Sequence, residues 1–379
     1  MSSLVKPAPV PANPLARYRV LSPLAGVRVS PLQLGAMSIG DKWHSHGFGD
    51  MNKDSSFKLL DAYYDAGGNF IDTANSYQAE TSEAFIGEWA EKRGIRDQLY
   101  TAGYKVEATD INVKVNYAGN NAKCLKVSVE ASLKKLRTSY IDILYLHWWD
   151  YNTSIKEVMD NLHNLVVAGK VLYLGISDTP AWIVAAGNQY AIDNGKTPFV
   201  IYQGAWNVMS RDFERDIIPM ARTYGLALAP WNVIAGGRLR SDAEEKRRLE
   251  SGEKGRVIVG PDWMRNEDEK KMSAALEKIA KEVGTEHITA VAIAYVMQKT
   301  PYVFPILGGR KVEHLMANIE ALNISLSDEQ MKYIESIIPF DPGFPNTMVG
   351  DGTSTSWILA NTAYQENWPL RQPIKPQNN

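Results

Sequence analysis

A single cysteine, Cys124, stands among 379 residues. One thiol excludes an internal disulfide framework and suits a reducing compartment. No apolar run approaches the roughly 18 residues that a membrane helix needs. Residues 1–14 are proline-rich and lack an apolar segment, so no secretory signal is expected. Neither sign of charge dominates. The 41 Lys and Arg against 43 Asp and Glu leave a formal charge of −2, which offers nothing to nucleic acid or to an anionic membrane. No G-x-G-x-x-G opens a helix behind an early strand, which weakens a doubly wound dinucleotide-binding fold. These absences leave a cytoplasmic globular enzyme as the expectation, with its oligomeric state unread. Hydrophobic residues make up 45% of the chain, ample for one large core.

Short apolar, β-rich runs alternate with helical stripes, the pattern of repeated strand–helix units. A helix opening at Asp54 carries Phe57, Leu60 and Tyr64 and stops at Gly67-Gly68, before a strand at 70–71. A second helix opens near Thr81, stacks Phe85 on Trp89 and stops at Gly94. Leu125, Val129, Leu133 and Leu136 form a further stripe. Strands follow at 141–146, 171–176, 199–202, 226–229 and 303–307, the last leading to a helix through Leu315 and Ile319. Ser154 and Glu157 read as a capping box. Residues 232–268 are charged and poor in apolar side chains, so an extended loop is expected there, with 244–248 as a solvated helix face. The segments 1–25 and 340–379 read as irregular extensions of one domain spanning 1–379. The expected architecture is α/β, a (β/α)8 barrel, whose long loops lie at the catalytic end.

Five strand ends carry chemistry. Asn69 to Tyr77 ends in an acid, Asp72, and a phenol, Tyr77; a turn cap and rim packing are the plainer alternative. The strand at 141–146 runs into His147, Trp148 and Trp149. That histidine either is satisfied in the core or holds a substrate oxygen. The tryptophans wall a substrate or pack, with packing preferred for one of them. Ser177, Asp178, Gln203 and Trp206 end two strands with groups able to pin a carboxamide and stack on its ring; ordinary turn capping serves equally well. Last, Gly308, Gly309, Arg310 and Lys311 lead into a helix and form either an anion site suited to a 2′-phosphate or a solvated basic turn. His44 and His46 lack further ligands at metal spacing, so no metal is expected, and Cys124 reads as structural.

The motifs DTANSY, LYLHWWD, GISDTPAW, YQGAWNVMSRDFERDIIPMA and GGRKVEHLMANIEAL, in this order, resemble an aldo-keto reductase. They are most similar to the fungal aryl-alcohol dehydrogenase and norsolorinic acid reductase branch. The resemblance spans residues 32–322. It implies NADP(H), hydride transfer to a small carbonyl, and Tyr77, Asp72 and His147 as proton donor, buried acid and carbonyl-orienting group. It further implies that Ser177, Asp178 (in place of the usual asparagine) and Gln203 hold the carboxamide and that Trp206 stacks. Asn232, Gly236, Arg238 and Arg240 would fold over the pyrophosphate. Gly308, Arg310, Lys311, His314 and Asn318 would meet the adenosine phosphate. Trp43, His147 and Trp148 would face a flat aromatic or polyketide-like substrate.

One family feature is displaced. The resemblance calls for a lysine ending the third strand, lowering the phenol's pKa and paired with the aspartate. Aligned without a gap, Tyr104 takes that position and Lys105 comes one residue late, on the opposite face unless Gly103 bulges. The favoured alignment instead removes a short stretch containing both strand and lysine. It predicts a shortened or irregular third strand, and it raises a second possibility: a catalytically weak NADP(H)-binding sensor or accessory protein.

Overall fold

A computed structural model of the chain describes residues 7–43, 51–102, 117–252 and 263–376. It opens with an antiparallel hairpin, β1 (Arg19–Ser22) and β2 (Ala25–Val29). Eight parallel strands follow: β3 (Gln33–Gly35), β4 (Phe70–Asp72), β5 (Tyr100–Ala102), β6 (Ile141–Leu146), β7 (Val171–Ser177), β8 (Phe199–Ala205), β9 (Ala227–Trp231) and β10 (Ile306–Gly308). They lie in chain order, with β10 beside β3. The ring closes where the Leu228 N–H donates to Tyr302 O (2.9 Å) and the Phe304 N–H donates to Leu228 O (2.8 Å).

Helices cover the outside: α1 (Lys53–Asp65), α2 (Thr81–Arg93), α3 (Ala122–Lys135), α4 (Ile155–Val167), α5 (Ala181–Asp193) and α6 (Ile217–Tyr224), each after its strand. Beyond β9 come α7 (Asp242–Ser251), α8 (Glu267–Val283) and α9 (Ile288–Lys299). The helices α10 (Val312–Ile319) and α11 (Asp328–Ile337) follow β10, and two single turns, α12 (Asn346–Val349) and α13 (Trp357–Ala360), punctuate the tail. This is a (β/α)8 barrel. Alternate strand residues divide two cores. Ile71, Leu144, Leu174, Ile176 and Leu228 face the helices, against Leu60, Ile86, Val129, Leu162 and Val184. Phe70, Ile143, Tyr145, Ile201, Ala227 and Ala229 fill the barrel, and Leu21, Ala25 and Val29 of the hairpin plug its lower end. A buried side chain of this size contributes about 1.5–3 kcal/mol, so packing, more than ladder length, holds strands of three residues.

Several expectations change. The third strand is present: β5 pairs Phe70↔Tyr100, Ile71↔Thr101 and Asp72↔Ala102 and touches β6 at Ala102↔Ile143. It is three residues long, as are β3, β4 and β10. This agrees with the expected shortened third strand, and the sensor alternative gains no support from it. Gly103, Tyr104 and Lys105 lie outside the described residues, as do His44 and His46.

The amino-terminal arm is not irregular throughout, since β1 is paired within it. The cap of α1 is Asn52, whose Oδ1 accepts the Ser55 N–H at 2.9 Å, with Asp54 inside the first turn. Ser154 caps α4, but the Glu157 carboxylate crosses to the Ala122 N–H at the start of α3. Within 232–268 the expected loop gives way to α7 and the start of α8. Here Glu245 is buried rather than solvated. Ion pairs from Arg240 and Arg265 to Glu245 hold this segment in place of an apolar stripe. The tail is largely irregular, as read, and lies along α6 through Arg222 and Asp351. Among the described residues, no helix is long and apolar enough to cross a membrane.

Candidate active site

The inward-facing register of each strand, carried one step past the packed core, delivers the site. Phe70 leads to Asp72, Tyr145 to His147, Tyr173 to Ser177, Ile201 to Gln203 and Ala229 to Trp231. Five side chains distant in sequence thus meet at the carboxyl ends of the strands. Their floor is Tyr145. Its ring lies where a Cβ on Gly175 would stand, 2.5 Å from Tyr145 Cδ1, so only glycine admits it there. Burial, then the charge of Asp72, holds the Tyr145 phenol protonated.

Asp72 is 5% exposed. Burial pushes its carboxyl up to about 7, opposed by the Gln203 Nε2–H donated to Oδ1 at 2.9 Å. Tyr77 stands in the loop above. The Trp43 ring meets it edge-on at 6.2 Å and the His147 ring at 6.3 Å, perpendicular. Burial, followed by the charges of Asp72 and Asp178, raises the Tyr77 pKa. These groups keep the phenol protonated.

Two residues that the sequence did not single out hold this loop. Gln78, buried, accepts the Lys42 and Trp43 N–H groups on Oε1 (3.1 and 2.8 Å) and donates from Nε2 to Met37 O (2.9 Å). It begins three consecutive left-handed residues, Gln78, Ala79 and Glu80, at φ 54°, 47° and 78°. No glycine marks that turn in the sequence. On the other side, Lys135 Nζ donates to Asn75 O at 3.1 Å and pairs with Glu80 and the buried Glu83. The loop after β6 is pinned likewise. Asp150 accepts the N–H groups of Asn120, Asn152 and Thr153, and Asn120 Nδ2 donates to Trp148 O. Trp149 packs on the outer core, while Trp148 stays partly exposed.

Other sequence candidates separate. Ser177 Oγ donates to Asp178 Oδ2 at 3.2 Å. Trp206 is corrected: it is fully buried, stacked on Phe213 at 5.4 Å with an 8° interplanar angle, its Nε1–H on Glu214. It follows Ala205 at the end of β8, where the chain turns out of the barrel. The aromatic at the mouth is Trp231, 38% exposed, donating from Nε1 to Asp178 Oδ1 at 3.2 Å. An inward count from Ala227 and Ala229 would have found it. Arg240 is corrected as well. Its side chain is 2% exposed, with bonds to Glu245, Gly237 O and Trp263 O. Four of its five N–H donors go to these three residues, so it ties this segment together before it meets any phosphate. Arg238 bonds to Met264 O and Glu269. Asn232 and Gly236 take left-handed conformations at φ 59° and 62° in the turns that follow β9. Gly308, Arg310, Lys311 and His314 are on the surface at the start of α10, and Asn318 is buried farther along.

A family model described as the aldo/keto reductase family matches residues 31–339. The chain belongs to that family. An aryl-alcohol dehydrogenase [NADP(+)] of Phanerodontia chrysosporium is 59% identical, over 98% of each chain. The aldo-keto reductase ausK of Emericella nidulans is 54% identical over 92% of this chain and 88% of its own. The norsolorinic acid reductase stcV of the same organism is 47% identical over 98% and 97%. In this family member Asp72, Tyr77, His147 and Gln203 share one rim.

Proposed function

We propose that this chain is an NADP(H)-dependent oxidoreductase interconverting aromatic aldehydes and alcohols. The observation that carries the reading is the placement of Tyr77 between the Trp43 and His147 rings, above the buried Asp72. Tyr77, kept protonated, donates to the substrate oxygen, and His147 orients that oxygen from the other side. Trp43 and Trp148 give the mouth flat apolar walls that favour an aryl group. Lys105 is the expected cation for Asp72.

The residues suit the cofactor. Ser177 and Asp178 offer polar groups for a carboxamide, Trp231 an exposed ring face, and Gly308, Arg310, Lys311 and His314 an open basic helix start for a 2′-phosphate. Gln203, bonded to Asp72, orients that carboxylate before it serves any ligand. Bound NADPH supplies the hydride. The residues named here place the carbonyl and provide its proton. A polyketide-like ketone is the second reading, favoured by the similarity to a norsolorinic acid reductase. The family and the composition favour the cytoplasm.

The test is Tyr77→Phe with a 3,4-dialkoxybenzaldehyde. Aldehyde-dependent NADPH oxidation should fall by about 10³-fold or more, the scale of a lost general acid, while NADPH still quenches tryptophan fluorescence. Undiminished turnover would remove Tyr77 from the reaction.

A further inference from the structure

Asp178 sits directly after β7 in a left-handed conformation, φ +44°, which aspartate tolerates better than most residues. Its own N–H donates to Gln203 O at 3.0 Å, tying the turn to β8. The carboxylate is thereby held over the barrel mouth. One oxygen accepts the Trp231 indole N–H and the other the Ser177 hydroxyl, both at 3.2 Å. Both donors are uncharged, so they fix the carboxylate in place without neutralising it. Its field reaches Tyr77, whose phenol it helps to keep protonated. Crowding raises the carboxyl to about 6, while its open outer face keeps it ionised at neutral pH.

A fixed negative charge is thus attached to the exposed indole of Trp231 at the mouth. An amide side chain there would keep the indole contact on its oxygen and reverse the other, its nitrogen donating to Ser177 Oγ, with no charge. The distinction matters for a ligand whose own charge changes in the reaction. The oxidised nicotinamide ring is cationic and the reduced ring is neutral, and the difference is one hydride.

We propose that Asp178 sets the redox preference of the mouth, favouring the oxidised, cationic form of the cofactor over the reduced, neutral form. By linkage this tilts the bound equilibrium toward NADP+ and the alcohol, that is, toward carbonyl reduction. The inference rests on the reading of this mouth as the nicotinamide site. A unit charge acting over about 7 Å at an effective dielectric of about 40 would change such a ratio of affinities roughly tenfold.

The experiment is equilibrium titration of the full chain with NADP+ and with NADPH at pH 8, by calorimetry or tryptophan quenching. In Asp178→Asn the ratio Kd(NADPH)/Kd(NADP+) should fall roughly tenfold from its wild-type value. In Trp231→Phe, which removes the indole donor and leaves the charge, both affinities should weaken while the ratio stays within about twofold of wild type. An unchanged ratio in Asp178→Asn overturns the proposal, as does a Trp231→Phe shift of equal size. If the wild-type chain binds neither form, the underlying reading of the site falls and this one with it.

Discussion

Replacing Gln78 by alanine should damage catalysis without unfolding the protein. The side chain makes three hydrogen bonds in a buried place, two accepted from the Lys42 and Trp43 N–H groups and one donated to Met37 O. A typical bond contributes about 0.5–1.5 kcal/mol net, and stranding its partner costs about 1–3 kcal/mol. Some of the stranded groups can turn to water, because Lys42 and Asp41 are exposed. The expected loss is therefore about 2–4 kcal/mol, within the usual stability of about 5–15 kcal/mol. The larger consequence is positional. Gln78 is the bridge between the strand-end loop bearing Trp43 and the left-handed turn that follows Tyr77. Freed from it, the two rings lose their fixed 6.2 Å relation, and a displacement of about 1 Å at a reacting group costs about 10²-fold in rate. We expect kcat/KM for an aromatic aldehyde to fall about 10²-fold, and kcat/KM for a small aliphatic aldehyde, which needs Trp43 less, to fall by a smaller factor. Urea unfolding gives the stability change and steady-state kinetics the rest. Gln78→Glu refines the test. It can still accept both N–H groups but cannot donate to Met37 O, so it should recover part of the activity. Wild-type kinetics in Gln78→Ala, with the stability loss present, would refute the positional argument. Equal losses on both aldehydes would refute the role assigned to Trp43.

Three further outcomes are expected. Arg240→Met breaks a buried ion pair and should cost about 3–5 kcal/mol in urea unfolding, with NADPH affinity in the folded protein nearly unchanged. Arg310→Ala should do the reverse, weakening NADPH about tenfold and NADH little, with stability within about 0.5 kcal/mol of wild type; titration with both cofactors separates the two. Asp72 gives a pH signature. Its folded pKa, about 7, lies above the ordinary aspartate value, so the folded state holds the proton more tightly than the unfolded chain between about pH 4 and 7. Its contribution therefore favours folding at the acid end of that window and is lost as pH rises through 7. Asp72→Asn should flatten that slope, measured by urea unfolding at pH 5 and 7.5; a slope steeper than wild type would contradict the burial argument.

The barrel was legible because its signal is periodic. Helical stripes and strand runs between 54 and 319 fall where packing requires them, and Asp72, His147, Ser177 and Gln203 are conspicuous as polar residues ending apolar strands. Trp206 misled because an aromatic one residue beyond β8 looks, in one dimension, like an aromatic at the rim. Counting in twos from the barrel interior turns it outward to Phe213 and selects Trp231 instead. Arg240 misled for a different reason. The resemblance aims it at the pyrophosphate, and nothing local reveals that Glu245 and Trp263 will take it instead. The third strand was legible only as a shortened or irregular one, because three residues give no periodicity to recognise. Its place is fixed by β4 and β6 on either side, a relation that a single sequence does not display.

The same contrast explains how the site is built. Asp72, Ser177, Gln203 and Trp231 belong to strands, so the barrel positions them at no further cost. His147 lies one residue past β6, while Tyr77 and Trp43 lie farther out on loops, and a loop must be held by groups that do no chemistry themselves. Gln78, Lys135, Asp150 and Asn120 take that part, each by bonding to main-chain atoms of the loop it holds. Such bonds depend on backbone position rather than on the identity of the side chain held. Trp43 and Trp148 can therefore change to suit another substrate while Tyr77 stays over Asp72, and substitutions that alter substrate preference should concentrate at those two tryptophans rather than at the four residues that hold the loops.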